Sequence, residues 1–336
     1  MRCPDCSSND SVIKAGLRKT SKGKIQKYYC KDCETYFSDT KRSKTQYPEH
    51  VILYTLEQYN KGYPVSEAKK LTGKRYQYSP PRSTIYTWID RYQDILTFLK
   101  LRKKYDVHPD ELTTTHELKH QQVYPFTYHN LKLNIHSKNR SELRRYINWI
   151  ERSLPRDMFL EGPRCSSLEI DHDFDIEEKD NITPELTQLA FNSQPKNSNK
   201  SPHETVEDFF LINDSTTVCT ELPVFINPEE LVSSDSQSSN FARPKELSSS
   251  DSQIGESARP NETDIDVDDP ITGHIDLIQI KYDNLYILDY KPNLNRPERH
   301  ASQLQLYKKA IQERTSIPKD KIHTAVFNQH AFYEFK

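Results

Sequence analysis

Between Gly273 and Lys291 the chain reads GHIDLIQIKYDNLYILDYK. Two runs rich in Ile, Leu and Tyr flank Asp283-Asn284, a pattern that predicts two β-strands, about 273–280 and 285–291. Asp and Asn both tolerate positive φ, so the pair suits a two-residue hairpin loop. No other stretch constrains the fold so tightly. Side chains alternate faces with period two, and a slip of one residue would turn the apolar set outward. With Asp283 and Asn284 as the loop, Tyr282 pairs with Leu285, Asp276 sits opposite Lys291, and Ile278 sits opposite Asp289. Asp289 and Lys291 then share a face, and Asp276 lies on it, diagonal to Asp289.

Two carboxylates buried side by side are costly unless something neutralises them. A divalent metal such as Mg²⁺ does so through oxygen ligands and keeps waters for chemistry. A lysine on the same patch can orient an attacking water or stabilise charge developing on a phosphate. The alternative is a solvent-facing hairpin in which Lys291 makes a cross-strand ion pair.

The next segment, Glu298 to Arg314, reads ERHASQLQLYKKAIQER. Without Gly or Pro it predicts a helix, with Gln303 and Tyr307 at i and i+4 on one face. The order Gly-x-Ile-Asp, Asp-x-Lys, Gln-x-x-x-Tyr resembles the RecB-type branch of the PD-(D/E)xK nucleases, which includes the CRISPR-associated RecB-like exonucleases. The resemblance implies Asp276 and Asp289 as ligands of Mg²⁺ or Mn²⁺ and Lys291 as the catalytic lysine. Gln303 and Tyr307 would be the helix motif beside the site. It also implies an upstream His on a helix and an acidic residue on a strand. SPHETVEDFFLIN (201–213) reads as a short helix carrying His203, and TTVCTELPVFI (216–226) as a strand carrying Glu221. These two complete the implied metal set.

The front of the chain carries a different signal. Residues 1–110 hold 22 Lys and Arg against 12 Asp and Glu, a balance of +10. A basic half of this kind points to a polyanionic partner. Cys3-Pro-Asp-Cys6 and Cys30-Lys-Asp-Cys33 form two CxxC pairs separated by 23 residues. No apolar run is long enough for a membrane span, and the N-terminus lacks a signal-peptide core. The chain is therefore expected in the cytoplasm, away from membranes, with reduced thiols. There the two pairs predict one structural Zn²⁺ held by four thiolates rather than disulfides. Only Cys165 and Cys219 remain, too few for an iron–sulfur cluster, so none is expected, unlike in those RecB-like nucleases that carry one.

Residues 48–60 predict a helix with Pro in its first turn and Gly62 just beyond its end. Residues 66–71 predict a short helix with Ser66 as N-cap, and 82–100 a longer one capped near Ser83. This is a helix-turn-helix layout whose last helix would enter the major groove of DNA. Ser83, Thr84 and Thr87 would lie near base edges, and Arg82 and Arg91 near phosphates. Ile85, Trp88, Ile89 and Ile95 would form the buried face. CPDC, YYCKDCETYFS and STIYTWIDRY together resemble the N-terminal DNA-binding part of insertion-sequence transposases, over about residues 1–95.

Between these ends, 141–154 predicts an amphipathic helix and 168–180 a solvated acidic face. Residues 192–202 have the composition of a linker. Residues 227–265 are rich in Ser, Asp and Glu. Ser234-Asp-Ser-Gln recurs at Ser250 and Ala242-Arg-Pro at Ala258, an offset of 16. Such a segment is expected to be disordered, an insertion tolerated because lengthening a loop costs little. The expected whole is multidomain. It comprises a small zinc ribbon (1–40), an all-α helix-turn-helix domain (45–105), a mostly helical connector (106–200) and a C-terminal α/β restriction-endonuclease-like core (201–336). Function would be metal-dependent cutting of DNA. The alternative is a DNA-binding regulator or transposition accessory protein with an inactive nuclease fold. DNA is the expected partner, and a homodimer is left open.

Overall fold

In the computed structural model the 273–291 hairpin lies in the middle of an eight-stranded mixed sheet. The structure describes residues 8, 11–20, 23–34, 36–38, 47–120, 122–138, 140–155, 159, 163–169, 174–195, 198–232, 243–244 and 269–336. The chain divides into two units, Met1–Pro48 and Glu49–Lys336.

The first unit holds an antiparallel sheet of β1 (Val12–Thr20), β2 (Gly23–Cys30) and β3 (Tyr36–Ser38). Its register shifts between Lys14 and Leu17, where Gly16 takes φ +83° as bulges require. Cys30 ends β2, buried, and Cys33 follows in the turn. Cys3 and Cys6 lie outside the described residues.

The second unit opens with α1 (Glu49–Asn60), α2 (Val65–Tyr76) and α3 (Arg82–Tyr92), which pack on one another. Ile85, Trp88 and Ile89 are buried as their spacing predicts, whereas Ile95 is only half-buried. Several boundaries differ from expectation. Pro64 and Pro81 occupy the N-cap positions, so Ser66 and Ser83 fall inside the first turns instead of capping them. The long third helix stops at Tyr92, and α4 (Phe98–Arg102) follows. The break lets Thr97 donate to Asp214 and lets Phe98 join Leu112 and Ile212 in a small apolar cluster.

The sheet order is β4 (Thr113–His120), β5 (Gln122–His129), β8 (Thr217–Ile226), β10 (Ile271–Lys281), β11 (Asn284–Tyr290), β12 (Ile322–Phe327), β13 (Phe332–Phe335), β7 (Ile176–Glu178). Residues 106–200 are thus not a separate helical connector. They supply β4, β5 and β7 to the sheet alongside α5 (Asn130–His136), α6 (Ser141–Ser153) and α7 (Thr183–Ser193). Nor do the first helices stand apart, since α1 packs against α7 and against α8 (Pro202–Asn213).

α8 begins with Ser201 as N-cap, Pro202 in its first turn and Glu204 closing a capping box, the arrangement that satisfies orphan N–H groups at a helix start. Of the expected insertion, the described residues include α9 (Pro228–Val232), where Glu230 pairs with Arg314. They also include Arg243–Pro244 (β9), which pairs with Leu168–Glu169 (β6). Ordered structure therefore runs beyond residue 227; most of 233–268 lies outside the described residues. β11 and β12 are parallel, joined through α10 (Ala301–Thr315), and every other neighbouring pair in the sheet is antiparallel.

Candidate active site

The hairpin register differs from the sequence reading in a way that matters. Tyr282 and Asp283, not Asp283 and Asn284, form the loop, at φ +48° and +63°, and Lys281 pairs with Asn284. This register sets Ile278 against Ile287 and Ile280 against Leu285. The expected one would have set Ile278 against Asp289. Matching apolar partners across the strands favours the observed pairing, and Tyr282 is left 97% exposed at the tip. The shift is an even number of residues, so faces are kept. Carried one pair past Leu277↔Leu288, it brings Asp276 directly across from Asp289.

On its other side Asp276 meets β8. Ile275 pairs with Leu222 and Leu277 with Thr220, so Glu221 stands opposite Asp276. Glu221, Asp276 and Asp289 form a row across three adjacent strands, whose spacing is about 5 Å. Glu221 takes φ +52° within its strand. A non-glycine residue in that region is strained by about 1–3 kcal/mol, and such outliers concentrate at functional sites.

α8 covers this row. His203 Nδ1 is 3.5 Å from Asp276 Oδ2, and that same oxygen accepts a 2.8 Å hydrogen bond from the Tyr290 amide. His203 also meets the edge of the Tyr290 ring. Lys291 Nζ is 2.7 Å from Asp289 Oδ2. Gln303 donates to the Tyr307 hydroxyl at 2.8 Å, both buried, as the i, i+4 spacing predicts. The Tyr307 ring lies over the backbone at Gly273, where a Cβ would come within 2.5 Å of its Cε1. A cleft of about 370 Å³ is lined by His203, Glu221, Asp276, Lys291, Gln303 and Tyr307.

The structure thus brings together every residue of the expected metal and catalytic set. It adds Glu207, one turn beyond His203 on α8. Ligand atoms of His203, Glu207 and Asp276 all lie within 4.8 Å of one another. The signal was His203-x-x-x-Glu207, a histidine and a carboxylate one helical turn apart on the same face. His274 was also passed over. Its ring stacks on Tyr124 at 4.2 Å, and its Nδ1 is 3.9 Å from Glu221. Period two from Asp276 places it on the same face of the strand, and that was the signal for it.

Electrostatics follow from four carboxylates in one small volume. Burial, then Asp276, pushes Glu221 up to about 8. Burial and Asp276 likewise push Asp289 up to about 6. Glu207 is held well above the usual carboxylate range by burial and by Glu221. Burial acts on Asp276 too, but the hydrogen bond with His203 and the charge of Lys291 outweigh it and hold its carboxyl low. The hydrogen bond to Asp276 raises His203. Burial pulls Lys291 down, yet Asp289 and Asp276 leave it raised.

Asp289 is 1% exposed and its Oδ1 accepts no hydrogen bond among the described residues. A buried carboxylate with unfilled acceptor capacity, beside two more, fits a hard divalent cation. Arg82, Ser83, Thr87 and Arg91 are exposed on α3 and Thr84 is half-buried; none of them lines the cleft. No protein-family model matches the chain, and neither a curated protein nor a solved structure matches it.

Proposed function

We propose that the protein is a metal-dependent DNA nuclease, with a zinc-ribbon and helix-turn-helix front end that docks it on duplex DNA. The observation that carries this reading is the row Glu221–Asp276–Asp289 across three strands, with Lys291 paired to its last member. Asp276, Asp289 and Glu221, with His203, would hold Mg²⁺ or Mn²⁺. When bound, such an ion supplies a water acidified toward neutral pH and neutralises charge on the scissile phosphate.

The chain's own groups do the rest. Asp289 holds the Lys291 ammonium at the cleft wall, where it can donate to a phosphate oxygen as negative charge grows. His203, held against Asp276 and the edge of the Tyr290 ring, has its imidazole fixed on the cleft lining. The Gln303–Tyr307 pair fixes a hydroxyl on the cleft lining, its ring clamped over Gly273. The exposed arginines of α3 support docking through sequence-independent phosphate contacts. Cys30 and Cys33 are the described half of the proposed zinc set.

The test compares wild type, Asp276→Asn, Asp289→Asn and Lys291→Ala on labelled linear and circular DNA with Mg²⁺ or Mn²⁺. Wild type should cut, and each variant should lose 10²-fold or more, a magnitude typical of removing one charge-stabilising group. Equal cleavage by all four would refute the assignment. Binding without cleavage by wild type would favour the regulator reading.

A further inference from the structure

We propose that Tyr124 and Arg164 form a nucleotide-binding subsite in the cleft, which takes one unstacked base of a single DNA strand. The proposal rests on the nuclease reading of the same cleft and adds the form of DNA that enters it.

Three observations carry it. The first is placement. Tyr124, Arg164, Ser166 and His274 line the cleft along with the carboxylates, and Arg164 is the one arginine among its described lining residues. His274 lies two residues before Asp276 on β10, about 7 Å along the strand at about 3.4 Å per residue. A nucleotide whose phosphate sits at the carboxylate row spans that gap.

The second is a supported aromatic ring. Tyr124 is half-buried on β5 and stacks on His274, with ring centres 4.2 Å apart and planes 16° apart. His274 is buried, and the Phe159 ring packs against it at 5.6 Å. The third is a guanidinium fixed beside that ring. Arg164 Nη1 donates to the Tyr124 hydroxyl at 3.4 Å, and the guanidinium carbon is 6.0 Å from the ring centre. The Arg164 backbone bridges to Thr272 of β10, whose amide donates to the Pro163 carbonyl at 2.8 Å. Both side chains are thus held against the sheet before a ligand arrives, which lowers the cost of binding.

The chemistry of the pair selects the ligand. An aromatic ring beside a guanidinium binds a base by stacking and a phosphate by charge-assisted hydrogen bonds. Every base has a π-face, so this contact carries no sequence preference. In an intact duplex both faces of a base are covered by its neighbours. A ring inside a cleft of about 370 Å³ therefore meets a base only at a frayed end or in a single strand. Arg164 then takes the phosphate next to the scissile one.

The experiment measures fluorescence anisotropy of a labelled oligothymidylate, and of a duplex of the same length, with the full-length chain and Ca²⁺. Binding, not cleavage, is the readout. Tyr124→Leu and Arg164→Gln are each expected to weaken single-strand binding about ten-fold or more, the share of one stacked base. Duplex binding should stay within about two-fold. Tyr124→Phe keeps the ring face and should stay within about three-fold of wild type on the single strand. With Mg²⁺, Tyr124→Leu should lose in KM on single strands and little in kcat. Melting curves show whether each variant is folded; where Tyr124→Leu melts early, Arg164→Gln decides. Unchanged single-strand affinity in either folded variant, or an equal loss on duplex, would overturn the inference. So would a wild type that does not bind the single strand. The expected variant pattern without cleavage of any DNA would leave the subsite standing and remove the nuclease reading. Cleavage lost in Asp289→Asn but untouched by Tyr124→Leu and Arg164→Gln would do the reverse.

Discussion

Removing one negative charge from the carboxylate row should stabilise the metal-free protein, and the gain should grow with pH. Glu221 is the informative position because its side chain is only 14% exposed and its carboxyl is pushed up to about 8, against an ordinary 4.5. With the folded-state value raised, the native protein holds a proton that the unfolded chain has released. Stability from this group is fully present below about pH 4.5 and is lost as pH rises through about 8. The shift corresponds to about 5 kcal/mol at about 1.4 kcal/mol per unit. Asp289, raised to about 6, titrates with the same sign, but the groups interact and the two losses do not simply add. Glu221→Gln is neutral throughout. Relative to wild type it should be near parity at pH 5 and about 3–5 kcal/mol more stable at pH 8, roughly 5–15 °C in melting temperature for a unit of this size. The assay is thermal or urea unfolding of both proteins in chelator at pH 5, 6, 7 and 8. Any zinc lost from the first unit is common to both. Groups of opposite sign, such as Lys132, cancel in the difference. Adding Mn²⁺ should narrow the gap at pH 8 by stabilising wild type more, by about 2.7 kcal/mol at a hundred-fold excess over the dissociation constant. Parallel pH profiles in chelator would refute the claim that the row is a charged, mutually repelling cluster.

Three other perturbations have defined outcomes. Gly273→Ala drives a Cβ to within 2.5 Å of the buried Tyr307 ring; about 1–3 kcal/mol of stability and most cleavage should be lost, read by unfolding and by the DNA assay. Lys132 is fully buried and its ammonium donates to the carbonyls of Leu211, Asp214 and Thr217. Lys132→Met leaves these acceptors without that donor and should cost about 3 kcal/mol or more, seen as a lowered urea midpoint. Arg82→Glu with Arg91→Glu should weaken duplex binding and reduce the slope of log affinity against log salt by about 2, near 0.9 per lost phosphate contact, without moving the melting curve.

What the sequence made legible was set by period and by strong local signals. The strands on either side of the hairpin loop followed from Ile-, Leu- and Tyr-rich runs bounded by turn residues, and the helix of Gln303 and Tyr307 from a run without Gly or Pro. Ser201-Pro-His-Glu marked the start of α8 through its capping box. The loop lies one residue earlier than the Asp-Asn preference for positive φ predicts, because apolar matching across the strands outweighs that preference. β4 and β5 were not visible. TTTHELKH lacks an apolar alternation, and in QVYPFTYH the alternation of Tyr124, Phe126 and Tyr128 is interrupted by Pro125, which argues against an inner strand. Their pairing is a tertiary fact, made by the exposed edge of β8. Glu207 was hidden for another reason. An acidic residue in a helix usually faces water, and nothing local reveals that the opposite wall is a row of carboxylates.

Helices α1 and α4 and the candidate active site are joined through α8, and this changes how either can be isolated. His203 and Glu207 lie at the N-terminal end of that helix. At the other end Asn213 accepts a buried 2.9 Å hydrogen bond from Asn60 of α1. The following residue, Asp214, accepts from Thr97 and from Thr216, Thr217 and Gln279. Removing residues 1–105 would therefore strip donors from a buried carboxylate and an amide, as well as the apolar cover that α1 gives α8. Each orphaned buried group costs about 1–3 kcal/mol, a large share of the stability of an ordinary domain. A truncated chain that neither binds nor cuts DNA would report the collapse of α8 rather than the loss of a docking surface. The proposed docking and cutting are separated by changes on the exposed face of α3, since Arg82 and Arg91 are exposed and do not line the cleft.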